Sequence, residues 1–115
     1  MSIHQGSCHC GAVQYEIDAD IQKPIACNCS MCQRAGTMLV FVPEGSFRLI
    51  SGEQATTDYQ FGKKRIHHLF CKNCGIKAYG WGLNESARTY AVNVRCLADV
   101  DLSTLDVQHY DGASI

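Results

Sequence analysis

The chain has 115 residues, 46% of them hydrophobic, and a formal net charge of -1. These values suit one domain with a modest core, and they exclude a disordered or collagen-like chain. The 10 Lys and Arg residues are balanced by 11 Asp and Glu residues, which argues against nucleic-acid binding because such proteins usually carry a basic stripe. We therefore expect a single domain over residues 1–115 that does not bind nucleic acid.

The first residues carry no sign of export. Residues 1–8 read MSIHQGSC, without a basic stretch followed by an apolar one. No apolar run approaches the roughly 18 residues of a membrane span. We expect a cytoplasmic location and no membrane association, and in the cytoplasm thiols stay reduced and structural disulfides are rare.

Strand patterns dominate the chain. In residues 12–18 the apolar side chains alternate, so that Val13, Tyr15 and Ile17 share one face. Residues 89–94 alternate in the same way. Together with these two, the predicted strands cover residues 37–42, 47–50, 56–61, 65–70 and 106–110.

Helical patterns are short. Residues 30–35 can form one short helix and residues 101–105 a turn, and no segment keeps a helical period beyond two turns. Pro24 and Pro43 are expected in loops or at strand ends. The sequence predicts a mainly β domain with short loops and little helix, held together by metal.

Eight cysteines carry the chemistry, and four of them predict a closed metal site. Cys71 and Cys74 are separated by two residues and followed by Gly75, the spacing of a zinc knuckle that supplies two ligands. Cys8 and Cys10 would point to the same side of an extended strand and supply the other pair. A zinc ion on these four thiolates would join the N-terminus to the middle of the chain and stabilise the fold.

The cluster of Cys27, Cys29 and Cys32 offers three ligands in six residues and no obvious fourth. Structural zinc sites have four protein ligands, whereas catalytic sites keep one position for water or substrate. Three thiolates make zinc a soft and weak Lewis acid, which favours a thiol over water as its fourth ligand. The pattern predicts a catalytic zinc for thiol and aldehyde chemistry, in which a carbon-sulfur bond forms or breaks.

Cys96 remains outside both groups. We interpret it as a small buried apolar residue. It could instead close the second site, and His9, His67 and His68 are rival candidates for that position. A site closed by any of them would favour a non-catalytic, zinc-stabilised interaction module over an enzyme, and reactive thiols at the second cluster would favour a redox sensor.

The ordered cysteine motifs resemble those of the glutathione-dependent formaldehyde-activating enzymes, also called the CENP-V/GFA family. The resemblance is carried by residues 6–13 (GSCHCGAV), 27–36 (CNCSMCQRAG) and 70–75 (FCKNCG), and by the tail segments 93–97 (NVRCL), 100–102 (VDL) and 109–112 (HYDG). It implies a zinc-pinned fold of the β-tent type and a carbon-sulfur lyase that acts on S-hydroxymethylglutathione-like adducts of a thiol and an aldehyde. It also implies two zinc ions per chain, a structural one on Cys8, Cys10, Cys71 and Cys74 and a catalytic one on Cys27, Cys29 and Cys32.

The substrates implied by this resemblance are a small thiol such as glutathione and an aldehyde. Two features of the chain depart from the pattern of this family. The chain is short, and residues 76–82 (IKAYGWG) are less typical of the family than the metal motifs. Arg34, Arg95 and His109 are candidates to contact an anionic thiol. The sequence does not indicate the oligomeric state.

Overall fold

A computed structural model describes residues 2–114. Its ten strands and one helix follow in the order β1 (Ser2–Ser7), β2 (Gln14–Ala19), β3 (Ile25–Cys27), α1 (Ser30–Ala35), β4 (Leu39–Pro43), β5 (Phe47–Ser51), β6 (Thr56–Tyr59), β7 (Ile66–Cys71), β8 (Lys77–Asn84), β9 (Ala87–Asn93) and β10 (Gln108–Tyr110). Short 3₁₀ turns fill several of the connections.

The strands form two sheets. The smaller has the order β1-β2-β5, and the larger has the order β10-β3-β4-β9-β8-β7-β6. Neighbouring strands are antiparallel except β10, which pairs with β3 in parallel. This parallel pair places the C-terminal segment beside the strand that carries Cys27.

The core lies between the two sheets and centres on Tyr15 of β2, which is fully buried. The Tyr15 ring stacks on Phe47 at 5.4 Å between centroids, and its hydroxyl donates to the carbonyl of Ala78 in β8 at 3.1 Å. A Cβ on Gly6 would come within 2.4 Å of this ring, so β1 can approach β2 only with glycine there. Burial of the aromatic side chains and pairing of the tyrosine hydroxyl hold the small sheet against the large one.

The mainly β fold was predicted correctly, and so was α1 at residues 30–35. Val13, Tyr15 and Ile17 are buried together, as the alternation predicted. The strand patterns of the sequence did not predict β1, β3 or β8. It was also wrong about Cys8 and Cys10, which lie in a turn after β1 and not in an extended strand. Over residues 2–114, no helix has both the length and the apolar character that crossing a membrane requires.

Candidate metal centres

The first cluster brings together four sulfurs from two distant parts of the chain. Sγ of Cys10 lies 3.7 Å from Sγ of Cys8 and 3.6 Å from Sγ of Cys71, and Cys74 completes the group. A disulfide would need about 2.05 Å, and all eight cysteines are free thiols. Zinc-sulfur bonds of about 2.3 Å in a tetrahedron separate the sulfurs by about 3.8 Å. The first cluster therefore has the donors and the spacing that zinc needs.

Backbone amides stabilise the thiolate forms of this cluster. The amide of Val13 donates to Sγ of Cys8 at 3.3 Å, and the amide of Asn73 donates to Sγ of Cys71 at 3.4 Å. The backbone amides of Ile76 and Cys10 lower the pKa of Cys74 to about 6. Because the thiolate is the form that binds metal, these amides favour binding. The turn after β1, closed by the amide of Cys8 on the carbonyl of Val13, aims both N-terminal sulfurs at one point.

The second cluster is built by the end of β3 and the start of α1. Cys27 is the last residue of β3, Cys29 caps the helix and Cys32 lies in its first turn. Sγ of Cys29 accepts the amide of Cys32 at 3.4 Å, and Sγ of Cys27 accepts the amide of Cys29 at 3.4 Å. The three sulfurs lie within 4.8 Å of one another. This spacing also fits one metal ion.

The C-terminal segment packs over this cluster and is fastened by Asn28. The Asn28 side chain donates to the carboxylate of Asp111 at 3.0 Å and accepts the amide of Ala113 at 2.9 Å. Gly112 lies between these two residues, and a Cβ there would be 2.5 Å from Sγ of Cys27. The segment can therefore lie against the second cluster only with glycine at position 112.

Replacing Gly112 by Ala is expected to disturb the second cluster alone. The added methyl group would push the segment or the Cys27 sulfur aside, and changes next to metal ligands typically weaken metal affinity or activity by about 10- to 100-fold. Zinc titration against a chromogenic chelator measures the effect. Gly45→Ala is the matched control, because a Cβ at Gly45 meets nothing within 4 Å. Equal zinc affinity in the two variants would contradict the proposed packing constraint.

A cavity of about 500 Å³ opens beside the second cluster and is lined by all three of its cysteines. Most of the other lining side chains are apolar, namely Ile25, Leu39, Phe41, Phe61, Ile66, Trp81, Leu83, Ala91 and Tyr110. Two basic side chains join them, Lys77 and His68. A concave apolar cavity with a few polar groups at one place is typical of a small-molecule site.

Lys77 is the functional candidate that the sequence reading missed. It begins β8, its side chain is buried at 9% exposure, and no carboxylate within residues 2–114 forms an ion pair with it. Burial lowers its pKa, and the nearby Cys32 and Cys29 oppose that shift. A buried lysine beside these cysteines would compensate their charge once they bind a metal as thiolates, since isolated buried charges are costly.

His68 remains neutral near pH 7. Burial, with the nearby Lys77 as a second cause, lowers the pKa of His68 to about 4. Its ring stacks on Phe61 at 5.4 Å, and its Nδ1 atom has no hydrogen-bond partner among the described residues. The cavity lining therefore includes one basic side chain besides this neutral imidazole, that of Lys77.

Of the four rival ligands, His68 lines the cavity but brings no atom into the second sulfur group, and the other three lie elsewhere. Cys96 is partly buried against the core, and burial together with the nearby Cys8 and Cys74 raises its pKa to about 11, so it belongs to the surroundings of the first cluster. His9 is exposed, and His67 contacts Asp58 at 2.6 Å and stacks on Trp81. Within residues 2–114, no histidine or carboxylate brings an atom into the second sulfur group.

The three proposed anion contacts differ in position. Arg34 lies on α1 and lines a shallow depression of about 300 Å³ with Ser30, Met31, Tyr59 and Phe61, the last of which also lines the cavity. Arg95 is exposed and adjoins Cys96, on the side of the first cluster. His109 is exposed on β10, next to Tyr110 of the cavity wall. Of the three, Arg34 is the one that lines a depression sharing a residue, Phe61, with the cavity.

Comparison with known proteins gives two findings. The family described as glutathione-dependent formaldehyde-activating enzyme matches residues 3–110. The crystal structure of a Rhodobacter sphaeroides protein superposes with a TM-score of 0.78 at 33% sequence identity, covering 92% of this chain and 99% of that one. The family match includes both cysteine clusters.

Proposed function

Because the chain belongs to the family of glutathione-dependent formaldehyde-activating enzymes, we propose that it is a zinc-dependent carbon-sulfur lyase that forms and cleaves adducts of a thiol and an aldehyde. Membership supports a role in glutathione-dependent formaldehyde activation in general. Our proposal goes further and specifies the reaction type, the zinc ions and the residues that bind them. The chain would be one domain over residues 1–115, with a structural zinc at the first cluster and a catalytic zinc at the second.

One observation supports the assignment most strongly. The second cluster supplies three thiols, receives no further ligand atom from residues 2–114, and lines the cavity. The first cluster supplies four thiols and lines no part of that cavity. A site with three protein ligands beside a cavity is the arrangement of catalytic zinc, and a site with four is the arrangement of structural zinc.

The reaction conserves all atoms. The thiol sulfur attacks the carbonyl carbon, a carbon-sulfur bond forms, the carbonyl π electrons move to oxygen, and the proton lost by the thiol ends on that oxygen. Zinc on Cys27, Cys29 and Cys32 would supply a centre that favours the thiolate form of an incoming thiol. No oxidant or reductant is needed.

Lys77 would provide electrostatic stabilisation. Negative charge passes from sulfur to the carbonyl oxygen during attack, and the buried ammonium lines the cavity close to Cys32 and Cys29. A fixed cation at the place where charge develops is effective because little water screens it. The apolar walls would keep water away from the adduct. Arg34, at the neighbouring depression, would bind a carboxylate of the thiol.

Replacing Lys77 by Met is expected to lower kcat by about 100-fold, the loss typical of removing one such stabilising group. Methionine keeps the length of the side chain and suits the apolar surroundings, so the zinc content should not change. Lys77→Arg keeps the charge and should recover part of the rate. Steady-state kinetics and metal analysis of both variants check this. Full kcat in Lys77→Met at unchanged zinc content would exclude an electrostatic role for Lys77.

The activity itself is tested by exchange NMR with ¹³C-formaldehyde and glutathione. The lyase should speed exchange between free formaldehyde and S-hydroxymethylglutathione above the uncatalysed rate, and Cys29→Ser at the same concentration should not. An exchange rate equal to that with Cys29→Ser, from protein containing both zinc ions, would favour a non-catalytic interaction module.

A further inference from the structure

The cavity is much larger than the aldehyde named by the family. Its volume of about 500 Å³ falls within the range of roughly 300–1,000 Å³ that holds drug-sized molecules. Formaldehyde has one carbon and one oxygen and would leave most of that apolar surface in contact with water. Filling it with carbon is favourable because it removes apolar surface from water.

We propose that the cavity binds the apolar substituent of a larger aldehyde, and that the thiol adduct of such an aldehyde is a substrate. The inference rests on the proposed lyase function and adds the substrate class. The aldehyde would carry a carbon body well beyond that of formaldehyde, since cavities of this volume hold drug-sized molecules.

The walls favour this occupant over the body of glutathione. Glutathione carries two carboxylates and an ammonium group. The cavity lining includes one cation, Lys77, and no aspartate or glutamate, while His68 is neutral near pH 7. A buried ammonium group without a partner costs several kcal/mol. The charged thiol therefore suits the solvent side near Arg34, and the cavity suits carbon.

The position of the cysteines and of Lys77 also fits an aldehyde whose carbon body lies in the cavity. Cys27, Cys29, Cys32 and Lys77 lie together among the lining residues, whereas Phe41, Leu83 and Ile66 contribute exposed apolar side chains to it. An aldehyde whose carbonyl lies at the cysteines would direct its chain along these apolar side chains. The thiol sulfur then adds to the carbonyl carbon, and the thiol proton ends on the oxygen.

The exposed apolar side chains also suggest another occupant, a second copy of this chain. Leu83 is 65% exposed and Phe41 52%, and exposed apolar patches often mark protein interfaces. The cavity is concave, however, and it contains the three thiols and a buried cation, features that a subunit contact does not need. The experiment below therefore also tests whether two copies of the chain associate through these side chains.

Ala91→Leu is the informative variant. Ala91 lies on β9 opposite Gly80 and Phe41, and all three line the cavity, so a leucine would narrow it. With glutathione as the thiol, Ala91→Leu should raise KM for hexanal about tenfold or more, the usual size of pocket discrimination, and so lower the ratio of kcat/KM for hexanal to kcat/KM for formaldehyde. Ala87→Leu is the matched control, the same change on the same strand at a position outside the lining.

A binding measurement separates the proposed substrate class from the proposed lyase function, because it detects binding in the cavity without turnover. Trp81 is the single tryptophan, lines the cavity, and packs against His67 and Arg88. The unreactive probe 4-nitrobenzyl alcohol should quench its fluorescence in the parent and in Ala87→Leu, and bind about tenfold more weakly to Ala91→Leu. Methanol at the same concentration should leave the fluorescence unchanged.

Each result decides one hypothesis. Turnover of formaldehyde but not of hexanal, with no probe binding, would overturn the substrate class and leave the lyase function intact. Probe binding without turnover of any aldehyde would overturn the lyase function, and with it the aldehyde assignment. A dimer in sedimentation that Leu83→Asp dissociates, together with no probe binding, would assign the walls to a subunit interface and also overturn the proposal.

Discussion

Replacing Cys71 by Ser is expected to abolish folding, or to lower the melting temperature by more than about 20 °C. Cys71 is fully buried, and its sulfur lies 3.6 Å from that of Cys10 in the four-sulfur cluster. Structural zinc contributes about 10–16 kcal/mol of apparent binding energy in small domains, against a total stability of about 5–15 kcal/mol. Each kcal/mol lost lowers the melting temperature by about 4–8 °C in a domain of about 100 residues. Circular dichroism during heating measures this.

Cys96→Ser is the matched control for that variant. It makes the same substitution at a partly buried cysteine that lies near the first cluster without belonging to it. Its zinc content should equal that of the parent, and its melting temperature should fall only slightly. Equal melting temperatures and zinc contents in Cys71→Ser and Cys96→Ser would show that the first cluster does not hold a structural metal.

Replacing Cys29 by Ser is expected to remove the activity and the second zinc while the fold persists. Cys29 caps α1 by accepting the amide of Cys32, and serine is a better helix cap. The helix should therefore form as before. The substitution removes one ligand of the second zinc ion and therefore the chemistry of that ion. We expect kcat/KM to fall by more than about 1,000-fold, as when an essential catalytic group is removed.

Metal analysis, thermal unfolding and kinetics on the same sample check the Cys29 prediction. The fold should melt within a few degrees of the parent, with one zinc ion lost. A Cys29→Ser protein that keeps full activity would contradict a catalytic role for the second cluster. One that unfolds like Cys71→Ser would instead give both clusters a structural role.

Much of the fold could be predicted from sequence because alternation reports burial directly. Val13, Tyr15 and Ile17 repeat every second residue and are buried together in β2. The three missed strands lack that signal. β1 reads SIHQGS and has three exposed residues and one buried one, β3 has three residues, and β8 contains Gly80 and Gly82, which alternation alone does not assign to a strand.

Each pair or triplet of cysteines could be predicted because short spacings within a motif bring ligands together almost regardless of the surrounding fold. The joining of Cys8 and Cys10 with Cys71 and Cys74 was predicted from the four ligands that a structural zinc needs. Cys8 and Cys10 lie in a turn and not in the predicted strand, but they still belong to the predicted group of four cysteines. Whether these groups bind zinc stays a prediction. The proposed anion contacts also stay a prediction, since an exposed arginine such as Arg95 has no sequence pattern that gives its position.

Lys77 and the cavity could not be predicted for a different reason. A lysine in sequence is normally exposed, and the burial of Lys77 follows only when β8 lies between β7 and β9 and its first residue faces the second cluster. The cavity walls come from β3, β4, β7, β8, β9 and β10, so its shape depends on the order of the whole large sheet. Gly112 likewise acquires its role only through the pairing of β10 with β3.

The central claim is that the two clusters hold two zinc ions and that the second ion has three protein ligands. A crystal structure with anomalous data at the zinc edge tests it most directly. Our account predicts one peak at Cys8, Cys10, Cys71 and Cys74, and another at Cys27, Cys29 and Cys32 whose fourth ligand is water or a small thiol. A second zinc closed by a side chain of the protein, or no metal at the second cluster after reconstitution with zinc, would contradict it.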